Sequence, residues 1–131
     1  QAVAKMYNEE AVKYNSTMAV GFALLSIDPK KGTPSTSLGP KMGIEATSLS
    51  RTLKSMEEKK FIQRKPNPDD GRGVLIYLTE LGKINRDASR LAVRKFNQAV
   101  IDQTGEESIK NCHSVIEKIN KMTKKKNIFT F

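Results

Sequence analysis

The chain has 131 residues, close to the usual length of one folded domain, so we expect a single domain over residues 1–131. Its longest apolar stretch, Met18 to Ile27, is too short to cross a bilayer, which excludes a membrane-spanning protein. The formal net charge is +9, from 23 Lys and Arg against 14 Asp and Glu. Such an excess favours a polyanionic partner, either nucleic acid or a membrane surface.

The N-terminus and the cysteine content indicate the cellular compartment. The chain begins at Gln1 without a basic-then-apolar leader, so we expect a trimmed or partly observed chain that lacks an export signal. A single cysteine, Cys112, cannot form an internal disulfide. We therefore expect a cytoplasmic protein.

The first predicted elements are two helices. Apolar residues at helical spacing predict an amphipathic helix, and this stripe comprises Val3, Tyr7, Ala11, Tyr14 and Met18. Asn15 to Thr17 interrupt the stripe, and the nearly all-apolar segment Met18 to Ile27 predicts a core helix. Turn formers occupy residues 28–32, so residues 1–28 form the N-terminal segment.

A second pair of helices follows. Thr33 is predicted as an N-cap, with Pro34 at the first position of a helix that runs to Met42 and ends at Gly43. The next helix is predicted from Ala46 to Lys59. Its inward face comprises Leu49, Thr52, Leu53 and Met56.

A hairpin and two long helices complete the chain. Strands are predicted at Phe61–Lys65 and Val74–Leu78, joined by a loop from Pro66 to Gly73. Thr79 is predicted to cap a long helix with Ala88, Leu91, Ala92, Phe96 and Ala99 on one side. Thr104 to Glu106 break this helix. The final helix carries Ile109, Cys112, Ile116 and Ile119 as an apolar stripe, and residues 124–131 form a basic tail with apolar residues.

This order of elements describes a winged helix-turn-helix over residues 33–78, in a mainly α fold with a small β-hairpin. The charge is placed accordingly: residues 1–28 sum to −1 (two Lys, three acids) and residues 29–60 to +4 (seven basic, three acidic). A major groove admits one α-helix, and Arg, Ser and Thr side chains can bind base edges or phosphates there. The predicted contacts on the second helix are Thr47, Ser48, Ser50, Arg51 and Lys54.

The hairpin, or wing, supplies further cations. Arg72 lies between Gly71 and Gly73, and a narrow tip would let it enter the minor groove, whose negative potential attracts Arg. Asp70 is predicted to orient an arginine. Candidate phosphate contacts at the wing base and in the first helix of the motif are Arg64, Lys65 and Lys41.

Two stretches resemble the MarR (multiple antibiotic resistance regulator) family of bacterial transcription factors. The first is Asp70-Gly71-Arg72 followed by Leu78-Thr79-Glu80-Leu81-Gly82, and the second runs from Thr47 to Leu53 and on through Met56 to Arg64. The resemblance covers residues 35–82 closely and the flanking helices loosely. It implies a dimeric repressor on a pseudo-palindromic operator, dimerising through residues 1–28 and 79–127. The expected interface residues are Val3, Tyr7, Ile109, Cys112, Ile116 and Ile119.

Three residues depart from the expected pattern. Pro40 lies inside the first helix of the motif, which should therefore be short or kinked. Lys60 stands where family members usually have a glycine, at a left-handed helix end. Glu45 is a poor N-cap.

A few residues suggest functions other than DNA binding. Cys112 and His113 are too few ligands for a zinc site, and Cys112 is expected in core or dimer packing. Tyr7, Tyr14 and Phe22 are expected in core or dimer packing in preference to a ligand pocket. An effector pocket between the dimer helices and the winged helix-turn-helix of residues 33–78, which we call the reading head, remains an alternative. A winged module that binds protein or structured RNA is an alternative function. No cofactor or metal is expected, and nothing in the sequence supports an enzyme.

Overall fold

The computed structural model describes residues 1–125 and 128–129. The elements within these residues are, in chain order, α1 Ala2–Val12, α2 Met18–Ser26, β1 Thr33–Pro34, α3 Ser35–Met42, α4 Ala46–Glu58, β2 Ile62–Asn67, β3 Asp70–Leu78, α5 Glu80–Thr104 and α6 Glu106–Lys125. The predicted fold class, a mainly α winged helix-turn-helix, is confirmed. No helix in the described part of the chain is both long and apolar enough to cross a membrane.

The chain divides into two compact units, Gln1–Val93 and a second that begins at Arg94 within α5. The first unit contains the helix-turn-helix and the sheet. The second contains the end of α5 and α6, separated at Gly105, which adopts a positive φ of 84° and confirms the predicted helix break. Lys124 and Lys125 form the last turn of α6 and not the start of a tail as predicted. Lys126, Asn127, Thr130 and Phe131 lie outside the described residues.

The sheet of the first unit is antiparallel with the order β1-β3-β2. The prediction that Thr33 and Pro34 begin a helix is wrong, because these residues form β1 and pair with Ile76 and Leu75. The Thr33 hydroxyl accepts the N–H of Asp28 at 2.8 Å, so it closes the preceding turn and does not cap α3. Helix α3 starts one residue later, at Ser35.

The core of the first unit lies where α2, α3 and α4 pack on the sheet. Its buried side chains are Val20, Ala23, Leu24, Ile27, Leu38, Leu49, Leu53, Met56, Phe61, Ile62, Ile76 and Leu78. Full burial of a large apolar side chain stabilises the fold by about 1.5–3 kcal/mol. Helix α2 is covered on one side only, because Met18 and Phe22 remain 39% and 48% exposed. Core packing of Tyr14 and Phe22 is therefore wrong within this chain, since Tyr14 is also 48% exposed, and their dimer packing stays a prediction.

The turn between α3 and α4 depends on Gly43. This residue ends α3 in a left-handed conformation, with φ 66°, as its sequence position predicts. Its N–H donates to the Pro40 carbonyl and the Ile44 N–H donates to the Gly39 carbonyl, at 3.3 and 3.1 Å. Helix α3 spans 8 residues with Pro40 inside it, which confirms that it is short.

Helix α4 ends in a similar motif built on a lysine. Lys60 adopts φ 61°, a conformation that glycine takes more easily. Its N–H donates to the Glu57 carbonyl at 2.9 Å, and the Phe61 N–H donates to the Met56 carbonyl at 2.8 Å. These two bonds and the buried Met56 and Phe61 side chains form a complete Schellman motif. Lys60 therefore adopts the left-handed conformation expected at this helix end, although it is not a glycine.

The start of α5 is attached to the end of α4. The Thr79 hydroxyl donates to the Lys60 carbonyl at 2.6 Å, and the Thr79 N–H donates to the Phe61 carbonyl at 3.0 Å. The same hydroxyl accepts the Gly82 N–H at 3.0 Å, which confirms Thr79 as the N-cap. We call this set of contacts among Lys60, Phe61, Thr79 and Gly82 the helix junction.

Replacement of Lys60 by glycine is predicted to stabilise the first unit. The substitution relieves left-handed strain of about 1–2 kcal/mol and adds some unfolded-state entropy, for a net gain of about 0.5–1 kcal/mol. Urea unfolding of Lys60→Gly against the unchanged chain measures it. Lys59→Gly is the control: Lys59 adopts a right-handed conformation with φ −81°, so glycine relieves no strain there and this variant should lose stability. A loss of stability in Lys60→Gly would contradict the assignment.

Gly82 is predicted to tolerate no side chain. A Cβ there would lie 2.0 Å from the Phe61 carbonyl oxygen, which belongs to backbone, whereas a Cβ at Gly71 would meet nothing within 4 Å. Gly82→Ala should destabilise the fold by roughly 2–3 kcal/mol, and the control Gly71→Ala by less than about 0.5 kcal/mol. Equal melting temperatures for the two variants would refute the close contact at the helix junction.

Candidate nucleic-acid interface

Helix α4 presents a continuous polar face on the surface of the first unit. Leu49, Leu53 and Met56 are buried on its inner side, as predicted. The predicted contacts Thr47, Ser48, Ser50, Arg51 and Lys54 are all exposed. Thr52 and Ser55 lie at the margins of this face and are half-buried. The outer face therefore combines small hydroxyl side chains with two long cations.

The wing is longer and its tip tighter than predicted. The predicted loop Pro66–Gly73 is wrong, because β2 continues to Asn67, β3 begins at Asp70, and only residues 68 and 69 form the turn. Pro66 pairs with Val74 in β2, which is an edge strand where a missing N–H is tolerated. The register then shifts, and Asn67 pairs with Asp70.

This register shift places Arg72 in a bulge next to the tip. Gly71, Arg72 and Gly73 lie between the paired residues Asp70 and Val74 of β3. The Asp70 carboxylate accepts the main-chain N–H of Arg72 at 3.1 Å. A Cβ at Gly73 would approach the other Asp70 carboxylate oxygen to 2.9 Å, so glycine lets the carboxylate lie over the bulge. Asp70 thus contacts the backbone of Arg72, whose side chain is exposed.

Three further cations near the wing and α3 are engaged within the protein. The Arg64 Nε donates to the Glu57 carboxylate, which joins the wing base to α4. The Lys65 ammonium lies 5.1 Å from the centroid of the Tyr77 ring, a cation–π distance. The Lys41 ammonium donates to the Ser26 carbonyl at 2.7 Å, at the C-terminal end of α2. Lys41 therefore stabilises a helix end, a role that sequence reasoning missed.

A cavity of about 200 Å³ opens in the first unit beside α1, α2 and the first half of α5. Its wall includes Tyr7, Tyr14 and Phe22, which the sequence favoured as core or dimer residues. Burial raises the pKa of the Tyr7 hydroxyl above its ordinary value. Sequence reasoning left this pocket open as the less favoured alternative, and the three aromatic residues were its signal.

The expected dimer residues are placed in both units. On α1, Val3 is 49% exposed and Tyr7 is half-buried. On α6, Ile116 and Ile119 are 48% and 51% exposed, Ile109 is half-buried and Cys112 is exposed. Core packing of Cys112 is thus wrong within this chain, and its dimer packing stays a prediction.

Comparison with known proteins finds relatives of this chain among transcription regulators. A family model described as "MarR family" matches residues 17–74, which include α2, the helix-turn-helix and most of the wing. The HTH-type transcriptional regulator SarZ of Staphylococcus aureus (strain USA300) is 25% identical over 118 residues, which cover 88% of this chain and 80% of SarZ. Over these residues the chain is similar to MarR family transcription regulators. The resemblance noted in the sequence is confirmed.

Solved structures of transcription regulators of similar length show the same fold. The S. aureus MepR–DNA complex matches this chain with a TM-score of 0.83 at 18% identity, covering 93% of this chain and 90% of MepR. The PcaV regulator from Streptomyces coelicolor, in complex with its natural ligand, matches with a TM-score of 0.70 at 13% identity, covering 92% and 89%.

Removal of the Asp70 carboxylate is predicted to loosen the wing tip. Asp70→Ala deletes the acceptor of the Arg72 N–H, so exchange of the Arg72 amide hydrogen should accelerate several-fold, roughly as a hydrogen bond of about 1 kcal/mol requires. Hydrogen–deuterium exchange with fragmentation measures it. Asp69→Ala removes the same charge from the neighbouring turn residue and serves as the control. Unchanged Arg72 exchange in Asp70→Ala would contradict the assignment.

Proposed function

We propose that this protein is a sequence-specific double-stranded DNA-binding regulator of the MarR family that represses transcription as a homodimer on a pseudo-palindromic operator. The observation that carries the proposal is the exposed cationic and hydroxyl face of α4, placed on the same unit as a narrow wing with an exposed Arg72. It is a binding function and involves no enzymatic step.

The α4 face suits the major groove. Thr47, Ser48 and Ser50 are short and exposed, so they allow the helix to approach base edges closely. Arg51 can bind O6 and N7 of a guanine bidentately, and Lys54 lies one turn further on, where a phosphate contact suits it. We infer that Arg51 specifies sequence and that Lys54 contributes affinity.

The wing suits the adjacent minor groove. Its two-residue tip is slender, and Gly71 and Gly73 leave Arg72 without bulky neighbours. A narrow minor groove concentrates negative potential, which favours an inserted arginine. Arg64 is held by Glu57 through Nε, so we expect it to contact phosphate at the groove edge through its remaining N–H groups.

Exposed apolar side chains on the terminal helices support dimerisation. Val3 and Met6 on α1 and Val115, Ile116, Ile119 and Met122 on α6 are each 39–55% exposed. Apolar stripes of this kind usually mark a protein interface. A two-fold dimer presents two α4 helices to half-sites one helical turn apart, about 34–36 Å, which requires a pseudo-palindromic operator. A dimer seated across a promoter blocks its use, which favours repression.

We also propose that a small-molecule effector binds the cavity beside α1 and α2. The solved PcaV regulator contains its natural ligand, and it shares this fold. The cavity lies in the same unit as α4 and the wing, and α5 both lines it and begins at the helix junction. A ligand that moves α5 therefore has a direct connection to the reading head.

The DNA-binding proposal is tested by mobility-shift titration against a selected duplex and a random duplex at two salt concentrations. Arg51→Ala should weaken binding to the selected duplex by about 1–3 kcal/mol and reduce its preference over random DNA. Arg72→Ala should weaken both. Arg90→Ala, which removes an exposed arginine from α5, is the matched charge control.

Two outcomes of this titration would overturn the proposal. The absence of any preference for selected over random duplex, or tighter binding to structured RNA than to either, would reject sequence-specific DNA recognition. If Arg72→Ala binds DNA as Arg90→Ala does, only the role of the wing is rejected.

A further inference from the structure

The cavity beside α1 and α2 is lined by groups that select the charge of a ligand. Its wall comprises fifteen residues, among which Glu10 is acidic and none is Lys, Arg or His. Most of the others are apolar or aromatic. A ligand carboxylate in such a site would lose its hydration without gaining a cationic partner, which is costly. The lining thus disfavours anions.

Several polar groups of the wall are already hydrogen-bonded within the protein. The Asn85 amide donates to the Leu81 carbonyl at 3.0 Å, and the Ser89 hydroxyl donates to the Asn85 carbonyl at 2.9 Å. The Thr17 hydroxyl oxygen accepts the Val20 N–H at 3.2 Å, as the N-cap of α2. The Ser89 hydroxyl hydrogen and one amide hydrogen of Asn85 are therefore not free to bind an anionic ligand.

Groups that attract a cation are present on the same wall. Tyr7 and Glu10 lie three residues apart on α1, so their side chains are neighbours on one helix face. Tyr14 and Phe22 add two more aromatic rings to the lining. Aromatic faces together with a carboxylate form the usual environment for an organic ammonium group.

Glu10 is held from outside the cavity by a lysine. The Lys13 ammonium lies 2.7 Å from the Glu10 carboxylate, and the two side chains are 68% and 43% exposed. Lys13 is not part of the cavity wall. An exposed pair of this kind contributes little stability, so a ligand cation can replace Lys13 at Glu10 at small cost.

We propose that the effector of this protein is an organic cation with a flat apolar body, bound among Tyr7, Tyr14 and Phe22 with its ammonium group at Glu10. The inference rests on the proposed effector role of the cavity and specifies its ligand class. A cavity of about 200 Å³ holds a ligand of one or two rings, since a site of about 150 Å³ accepts benzene.

The test uses three probes that share one ring system and differ in charge: 2-naphthylmethylammonium, 2-naphthylmethanol and 2-naphthoate. Isothermal titration of the full chain without DNA should show the ammonium binding at least about tenfold more tightly than the carboxylate. The alcohol should lie between them.

Three variants locate the charge selection. Glu10→Gln should weaken ammonium binding roughly fivefold and leave alcohol binding unchanged. Lys13→Gln should strengthen ammonium binding, because Glu10 loses its internal partner. Glu9→Gln is the matched control: Glu9 precedes Glu10, is 69% exposed and does not line the cavity, so ammonium affinity should not change.

The outcomes separate the ligand class from the regulatory role. Carboxylate binding as tight as ammonium binding, no binding of any probe, or equal losses in Glu10→Gln and Glu9→Gln would overturn the ligand class. Ammonium binding that follows the predicted variant pattern supports the class, even if the bound probe leaves DNA affinity unchanged. If the bound probe leaves DNA affinity unchanged, only the effector role in the proposed function is refuted.

Discussion

The carbonyl groups of Lys60 and Phe61 are the anchor on which the reading head depends. They lie where α4 has ended and β2 begins, and they accept the hydroxyl and the N–H of Thr79, where β3 has ended and α5 begins. Gly82 packs directly on the Phe61 carbonyl. Helix α4, the wing and α5 are therefore joined at one point. A protein that reads two adjacent grooves needs its helix and wing fixed relative to each other.

The net charge of +9 is divided between structural and surface roles. Lys41 holds a helix end, Arg64 is paired with Glu57 and Lys65 lies over Tyr77. Arg51, Lys54 and Arg72 are exposed on α4 and the wing. A count of basic residues therefore overstates the number of cations that are free of contacts within the protein. It also separates the cations to which the proposed function assigns DNA contact from those that stabilise the fold.

Features with local causes could be predicted from the sequence. The stop at Gly43, the cap at Thr79 and the break at Gly105 follow from the conformational preferences of single residues. The wrong predictions at Thr33 and in the wing loop have a tertiary cause. Pairing with β3 makes these residues part of the sheet, whereas their local preferences favour a helix start and a loop. The sequence favoured core or dimer packing over a cavity, because aromatic residues at helical spacing indicate burial without showing whether protein or a ligand covers them.

The central claim, that α4 reads the major groove while the wing enters the adjacent minor groove, is tested most directly by directed DNA cleavage. Ser48→Cys or Gly71→Cys is introduced in a Cys112→Ser background, and an iron chelate is attached to the new cysteine. The protein is then bound to a selected duplex. The account predicts cuts at the centre of each half-site from position 48 and cuts displaced outward into the flanking minor groove from position 71. Coincident or unpositioned cuts from the two sites would contradict it.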